Sequence, residues 1–177
     1  MRHQLSAQLL LGLAIALVAS AMRNQPSNAQ SKTFYCGMSK GVAATMARTP
    51  RGNLPVIRWD SAYFSGSGWN QQRRCQEVSL RFQRYYDNGT LKYITTGQMN
   101  KQSVVCVASH KGGDCTGLLF TIKPGNTPDR TLAKLLNYRT LAAGDSPNES
   151  AGERLYIDIN EFINTIPLEG ETSNKSV

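Results

Sequence analysis

Cysteine has the widest chemical repertoire of any residue type in this 177-residue sequence, and it occurs four times, as Cys36, Cys75, Cys106 and Cys115. Clustered thiols bind zinc or exchange disulfides, and both uses leave marks in spacing, such as C-x-x-C pairs or nearby histidines. No two of these cysteines form C-x-x-C, and the only histidines are His3 and His110. An even cysteine count in a small exported domain points instead to paired disulfides. Cys106 and Cys115 flank a short turn-rich segment that a hairpin-type bridge would close, which leaves Cys36 to meet Cys75. Spacing favours this pairing while the two alternative pairings stay open.

Acid–base chemistry has little material. His110 lies in Ser109-His110-Lys111-Gly112-Gly113, beside a turn. A nucleophilic site there would need both a nucleophile and an orienting acid in reach, so an exposed loop histidine is the expectation. Paired carboxylates for glycoside hydrolysis would come from Asp145, Glu149, Glu153, Asp158 and Glu161, which are expected to solvate a loop and cap a helix instead. Gly66-Ser67-Gly68 lacks the spacing and the lysine of a phosphate-binding loop and predicts a turn. The inventory predicts no catalytic site, no metal and no cofactor.

Charge is more informative. The chain carries a formal net charge of +8. From Lys32 to Lys101 eleven Lys or Arg face only Asp60, Glu77 and Asp87, whereas from Gln102 onward seven basic residues face nine acidic ones. A field of one sign concentrated in half a domain attracts polyanions. The candidate residues for such a surface are Arg48, Arg51, Arg58, Arg73, Arg74, Arg81 and Arg84. The partner they imply is an anionic membrane surface or an acidic protein, no nucleic-acid motif being present; a merely solvating basic face is the competing reading. Trp59, Tyr63, Phe64, Trp69, Tyr85 and Tyr86 interleave with Arg58, Arg73 and Arg84, a composition that suits a stacking surface or, as favoured here, a core.

The elements that must position these residues follow from pattern. Residues 1–29 read as a secretory signal and flexible lead-in: Arg2 and His3 precede an apolar run from Leu9 to Ala19, with Ala19 and Ala21 in A-x-A spacing and a second cleavage candidate after Ala29. The run is shorter than the ~20 residues of a membrane span. Residues 32–166 predict one α+β domain, with an antiparallel sheet packed by two principal helices and braced by disulfides, and 167–177 a disordered polar tail. Lys32 to Met38 predicts a strand, Ser39 to Asn53 turn and loop, and Leu54 to Trp59 a second strand. Cys75, Val78, Phe82 and Tyr85 recur on one face of a helix predicted over Asn70 to Asp87, with Asn88-Gly89 as its stop. Its opposite face brings together Arg73, Glu77, Arg81 and Arg84, where Glu77 has an arginine four residues to either side, Arg73 and Arg81, for an ion pair. Strands are predicted at Thr90 to Thr96, Ser103 to Ala108 and Gly117 to Lys123, the first two joined by a hairpin at Met99-Asn100-Lys101. Thr127-Pro128-Asp129 predicts a second helix start with a hydroxyl cap; Leu132, Leu135 and Leu136 form its buried stripe, Arg139 shares that face, and Gly144 ends it. Leu155 to Ile159 predicts a last strand and Asn160 to Thr165 a helical turn.

Several of these runs together resemble a known family. They are Arg48-Thr-Pro-Arg-Gly-Asn, Val56-Ile-Arg-Trp, Arg74-Cys-Gln-Glu-Val-Ser-Leu-Arg-Phe-Gln-Arg-Tyr-Tyr, Asn88-Gly-Thr-Leu-Lys-Tyr-Ile-Thr-Thr-Gly, Cys115-Thr-Gly-Leu-Leu-Phe-Thr-Ile and Leu155-Tyr-Ile-Asp. The sequence resembles the circadian oscillating polypeptide family of cyanobacteria, the twenty-three-kilodalton class, over nearly all of residues 33 to 164. The resemblance implies an exported or membrane-associated protein with no established catalytic activity and supplies no catalytic residues. The expected function is an exported, non-catalytic domain that associates with a membrane or a protein partner through its basic face. The alternative is a small secreted hydrolase acting on cell-wall or nucleic-acid material. Periplasm, thylakoid lumen and extracellular space all fit the expected export.

Overall fold

The computed structural model describes residues 32–136 and 154–165. The signal and lead-in of residues 1–29, the tail 167–177, and Arg139, Gly144, Asp145, Glu149 and Glu153 lie outside the described residues. The first half of the domain is a three-stranded antiparallel meander, β1 (Phe34–Ser39), β2 (Val42–Thr49) and β3 (Gly52–Arg58), followed by α1 (Gln71–Asp87). The second repeats that order with β4 (Tyr93–Met99), β5 (Gln102–Ala108), β6 (Gly117–Thr121) and α2 (Pro128–Leu135), and closes with β7 (Ile157–Asp158) and α3 (Ile159–Thr165). The class is α+β as the sequence predicts, with the antiparallel strands divided between two sheets, β1-β2-β3 and β6-β5-β4-β7.

Two tight turns set the register of the meanders. Lys40 and Gly41 between β1 and β2, and Asn100 and Lys101 between β4 and β5, all have positive φ, 49° and 79° in the first and 50° and 61° in the second. Two-residue loops with both φ values positive match the twist of the strands they join. One sequence expectation fails here: Ser39 to Asn53 is not turn and loop, because β2 occupies Val42–Thr49 as the central strand of its sheet. Its short side chains are the reason. Ala43, Ala44 and Ala47 are buried in β2, against which α1 packs, and small residues there let a helix approach the sheet closely. Buried Thr45 accepts hydrogen bonds from Ser79 of α1 at 3.0 Å and from the Trp59 indole at 3.1 Å, so the polar atoms at this interface satisfy one another.

Helix α1 starts and stops where its capping chemistry dictates. The Asn70 side chain accepts from the Arg73 amide at 2.9 Å, and at the other end Gly89 takes φ 72°. Thr90 N–H then returns to the Tyr85 carbonyl and Gly89 N–H to that of Tyr86, a Schellman closure. Thr90 and Leu91 are consumed in this cap, with Leu91 buried, which is why β4 begins at Tyr93 and not at Thr90. The ion pair expected of Glu77 does not form: among the described residues Glu77 makes none with an arginine, and Arg81 donates instead to the Leu119 carbonyl at 2.8 Å.

Helix α1 lies over the seam between the sheets, against β1 and β2 on one side and β6 on the other. Cys75, Val78 and Phe82 face inward as their spacing predicts, with Tyr85 half-buried beside them. Edge-to-face contact between Trp59 and Phe120 at 5.3 Å joins the two sheets' cores, and Phe34 meets Phe82 at the same separation. The helix also closes two sheet edges with polar atoms. Gln83 Oε1 accepts from the Phe34 amide of β1 at 2.7 Å, while Arg81 and Tyr85 donate to the Leu119 and Leu118 carbonyls of β6. Cysteines pair as Cys36–Cys75, which ties β1 to α1, and Cys106–Cys115, which ties β5 to the chain entering β6.

Helix α2 begins on Pro128, but the Thr127 hydroxyl does not cap it, contrary to the sequence expectation. Asp129 in its first turn is held from outside by the Thr96 hydroxyl of β4, and Leu132, Ala133 and Leu136 are buried beneath. Asp158 caps α3, accepting from the amides of Asn160 and Glu161. No helix among the described residues is long and apolar enough to cross a membrane.

Candidate anion-binding face

The seven arginines separate into groups once folded. Arg48 and Arg51 stand at the β2–β3 hairpin end; Arg48 donates to the Lys32 carbonyl at 3.2 Å and lies over Tyr35, and Arg51 donates to the Asn164 carbonyl of α3. Arg84 is exposed near the C-terminal end of α1. Arg58 at the end of β3 and Arg73, Arg74 and Arg81 in the first three turns of α1 form the remaining group.

Arg74 and Arg58 are half-buried, and each is held by a fixed partner. Arg74 donates to the Ser61 carbonyl at 3.1 Å and lies over the rings of Trp59, at 4.6 Å, and Phe64, at 5.1 Å. Arg58 Nε donates to the Ser39 hydroxyl at 2.7 Å. Burial pushes the Arg74 guanidinium below its ordinary value, and the nearby Asp60 carboxylate opposes that shift. An arginine remains cationic at neutral pH under such a shift, so the desolvated charge favours any further anion that approaches. Both side chains face a depression of about 620 Å³, where exposed Lys40, Lys123 and Lys134 join them. Asp60 is the one carboxylate among the described lining residues. Five separate elements supply the cations: the β1–β2 turn, β3, α1, the chain after β6, and α2.

Arg74 is also a wall of a second, less polar cleft of about 360 Å³. Trp69, Val78, Leu118 and Phe120 line it, with Glu77, Arg81 and Gln102 at its polar positions. Arg73 covers Trp69 at 4.5 Å from the ring centroid while donating to the Gly68 carbonyl. Tyr63 is half-exposed, at 51 %, with the Lys123 ammonium 4.3 Å from its ring centroid and Phe64 packed edge-on. The aromatics thus divide: Trp59 is core, whereas Tyr63, Phe64 and Trp69 carry cations at the surface. The sequence reading missed Lys40, Lys123 and Lys134, which share no local pattern and meet only through the fold.

The groups considered for catalysis are dispersed. His110 is exposed, with the Ser109 hydroxyl 3.1 Å from Nδ1 and its ring against Gly113, and it lines neither depression. Asp60 and Glu77 stand in different depressions, Asp129 accepts from Thr96, and Asp158 caps a helix. Among the described residues no cluster of three or more His, Cys, Asp or Glu is placed to hold a metal ion.

A family model described as Circadian oscillating protein COP23 matches residues 33–164. No curated protein and no solved structure matches the chain.

Proposed function

The chain belongs to the circadian oscillating protein COP23 family, and from that premise we propose that its domain is an exported, non-catalytic module that attaches peripherally to anionic membrane surfaces. One observation carries the reading: Lys40, Arg58, Arg74, Lys123 and Lys134 converge on a single depression against Asp60. Cations near an anionic lipid surface each contribute about 1 kcal/mol, so five acting together suffice for reversible attachment. Half-exposed Tyr63 beside the depression adds an amphipathic ring suited to the headgroup level. A membrane is favoured over an acidic protein because the cations come from five separate elements and a half-exposed aromatic ring stands beside them. Two disulfides accord with an oxidising compartment outside the cytoplasm.

Co-sedimentation with vesicles tests the proposal. Recovery should rise with the fraction of anionic lipid and fall as salt shortens the screening length. The double variant Lys123→Glu/Lys134→Glu should lower the partition coefficient at least tenfold at physiological salt. Equal recovery on neutral and anionic vesicles, or indifference to salt, would defeat the electrostatic mechanism.

A further inference from the structure

The basic depression and the cleft beside it are contiguous: Phe64, Arg74, Phe120 and Thr121 line both. On one side of Arg74 the walls are cations; on the other they are Trp69, Val78 and Leu118. We infer that the two form one bipartite site for a single amphiphile, its phosphate-class head in the basic depression and the first carbons of its apolar chain in the cleft. The inference rests on the anion-attracting face proposed above and asks more of it, namely a saturable one-to-one site.

Three observations define the ligand. Five cations around one carboxylate suit a multiply charged oxyanion better than a single carboxylate, and half-buried Arg58 and Arg74, held in place by Ser39 and Ser61, fix two of those charges at the depression. Volumes of about 620 and 360 Å³ fall within the range of small-molecule sites, the smaller holding part of one chain. A nucleotide, the other molecule with a phosphate and an apolar part, is disfavoured. Its base would need open ring faces to stack on, yet Trp69 and Phe64 each already carry an arginine over a face.

The test uses the full disulfide-bonded chain, titrated calorimetrically with hexyl phosphate below its micellar concentration and, separately, with inorganic phosphate. Each buried methylene is worth about fourfold in affinity, so hexyl phosphate should bind one per chain and at least tenfold tighter than inorganic phosphate. Gln102 is exposed where it lines the cleft, so Gln102→Phe should fill the cleft and erase that advantage while inorganic phosphate binding is unchanged. Lys134→Glu should weaken both ligands. Fluorescence gives an independent readout, since Trp69 lines the cleft and the only other tryptophan, Trp59, is buried. Hexyl phosphate should blue-shift the emission, and the shift should vanish in Trp69→Phe. Equal affinity for the two phosphates, an advantage untouched by Gln102→Phe, or a shift that survives in Trp69→Phe would each overturn the inference. Vesicle binding that follows charge and salt, in a chain with no preference for hexyl phosphate, would overturn this inference and leave membrane attachment standing. A hexyl phosphate advantage without vesicle binding would support a carrier of free amphiphiles and remove the attachment reading.

Discussion

The two halves of this domain use the same element order and secure it differently. In the first, a 17-residue helix is capped at both ends and bonded covalently to the strand beneath it through Cys36–Cys75. In the second, an 8-residue helix has no side-chain cap and no covalent tie, and it is held by buried leucines and the Thr96–Asp129 hydrogen bond. The second half spends its disulfide within the sheet region, closing a loop between β5 and β6. The difference follows position in the fold: α1 lies along the seam against both sheets and is fixed to one of them, whereas α2 packs mainly on the paired strands β4 and β5 and only secondarily on β3. Long-range covalent bracing goes where no continuous sheet supplies it.

This contrast can be broken in graded steps, each read by urea unfolding under non-reducing conditions. Cys36→Ala/Cys75→Ala should have the largest effect, about 4 kcal/mol, because the sequence separation of 39 residues makes its loop-closure entropy large. Cys106→Ala/Cys115→Ala, across a separation of 9, should cost about 3 kcal/mol; a reversed order would mean that the seam is not the weak point. Gly97→Ala probes packing around the second bridge, since a Cβ there would run into the Cys115 sulfur, and should cost about 2 kcal/mol. Asn70→Ala removes the side-chain cap of α1 and should cost about 1 kcal/mol. The corresponding Thr127→Ala at α2 should change stability by less than about 0.5 kcal/mol, because that hydroxyl caps nothing. Equal losses at Asn70 and Thr127 would erase the distinction between the two helices.

What the sequence disclosed followed from how local the signal was. The α1 face and its Asn88-Gly89 stop were legible because periodicity and capping operate within a few residues. Strand β2 was not, because its alanines and threonines are selected by a helix that arrives from a different part of the chain. The disulfide pairing favoured by spacing is the pairing found, though Cys36 and Cys75 carry no mark of each other beyond elimination. At the candidate face the charge asymmetry pointed to the first half of the domain. Yet Lys123 and Lys134 come from the acidic half, and only tertiary folding brings them beside Arg58 and Arg74. Conversely, Arg48 and Arg51 belong to the basic half and have their guanidinium groups directed to the carbonyls of Lys32 and Asn164.

The polar side chains with which α1 closes the borders of both sheets have a bearing on the life of the protein among its copies. Exposed strand borders recruit other strands, and the row formed by Gln83, Arg81 and Tyr85 occupies β1 and β6 before a neighbour can. A chain whose helix has swung away would offer two sticky ribbons at once, one from each sheet. Reducing a single bond, Cys36–Cys75, would therefore do more than loosen one molecule: it would convert a self-contained unit into a seed for intermolecular pairing.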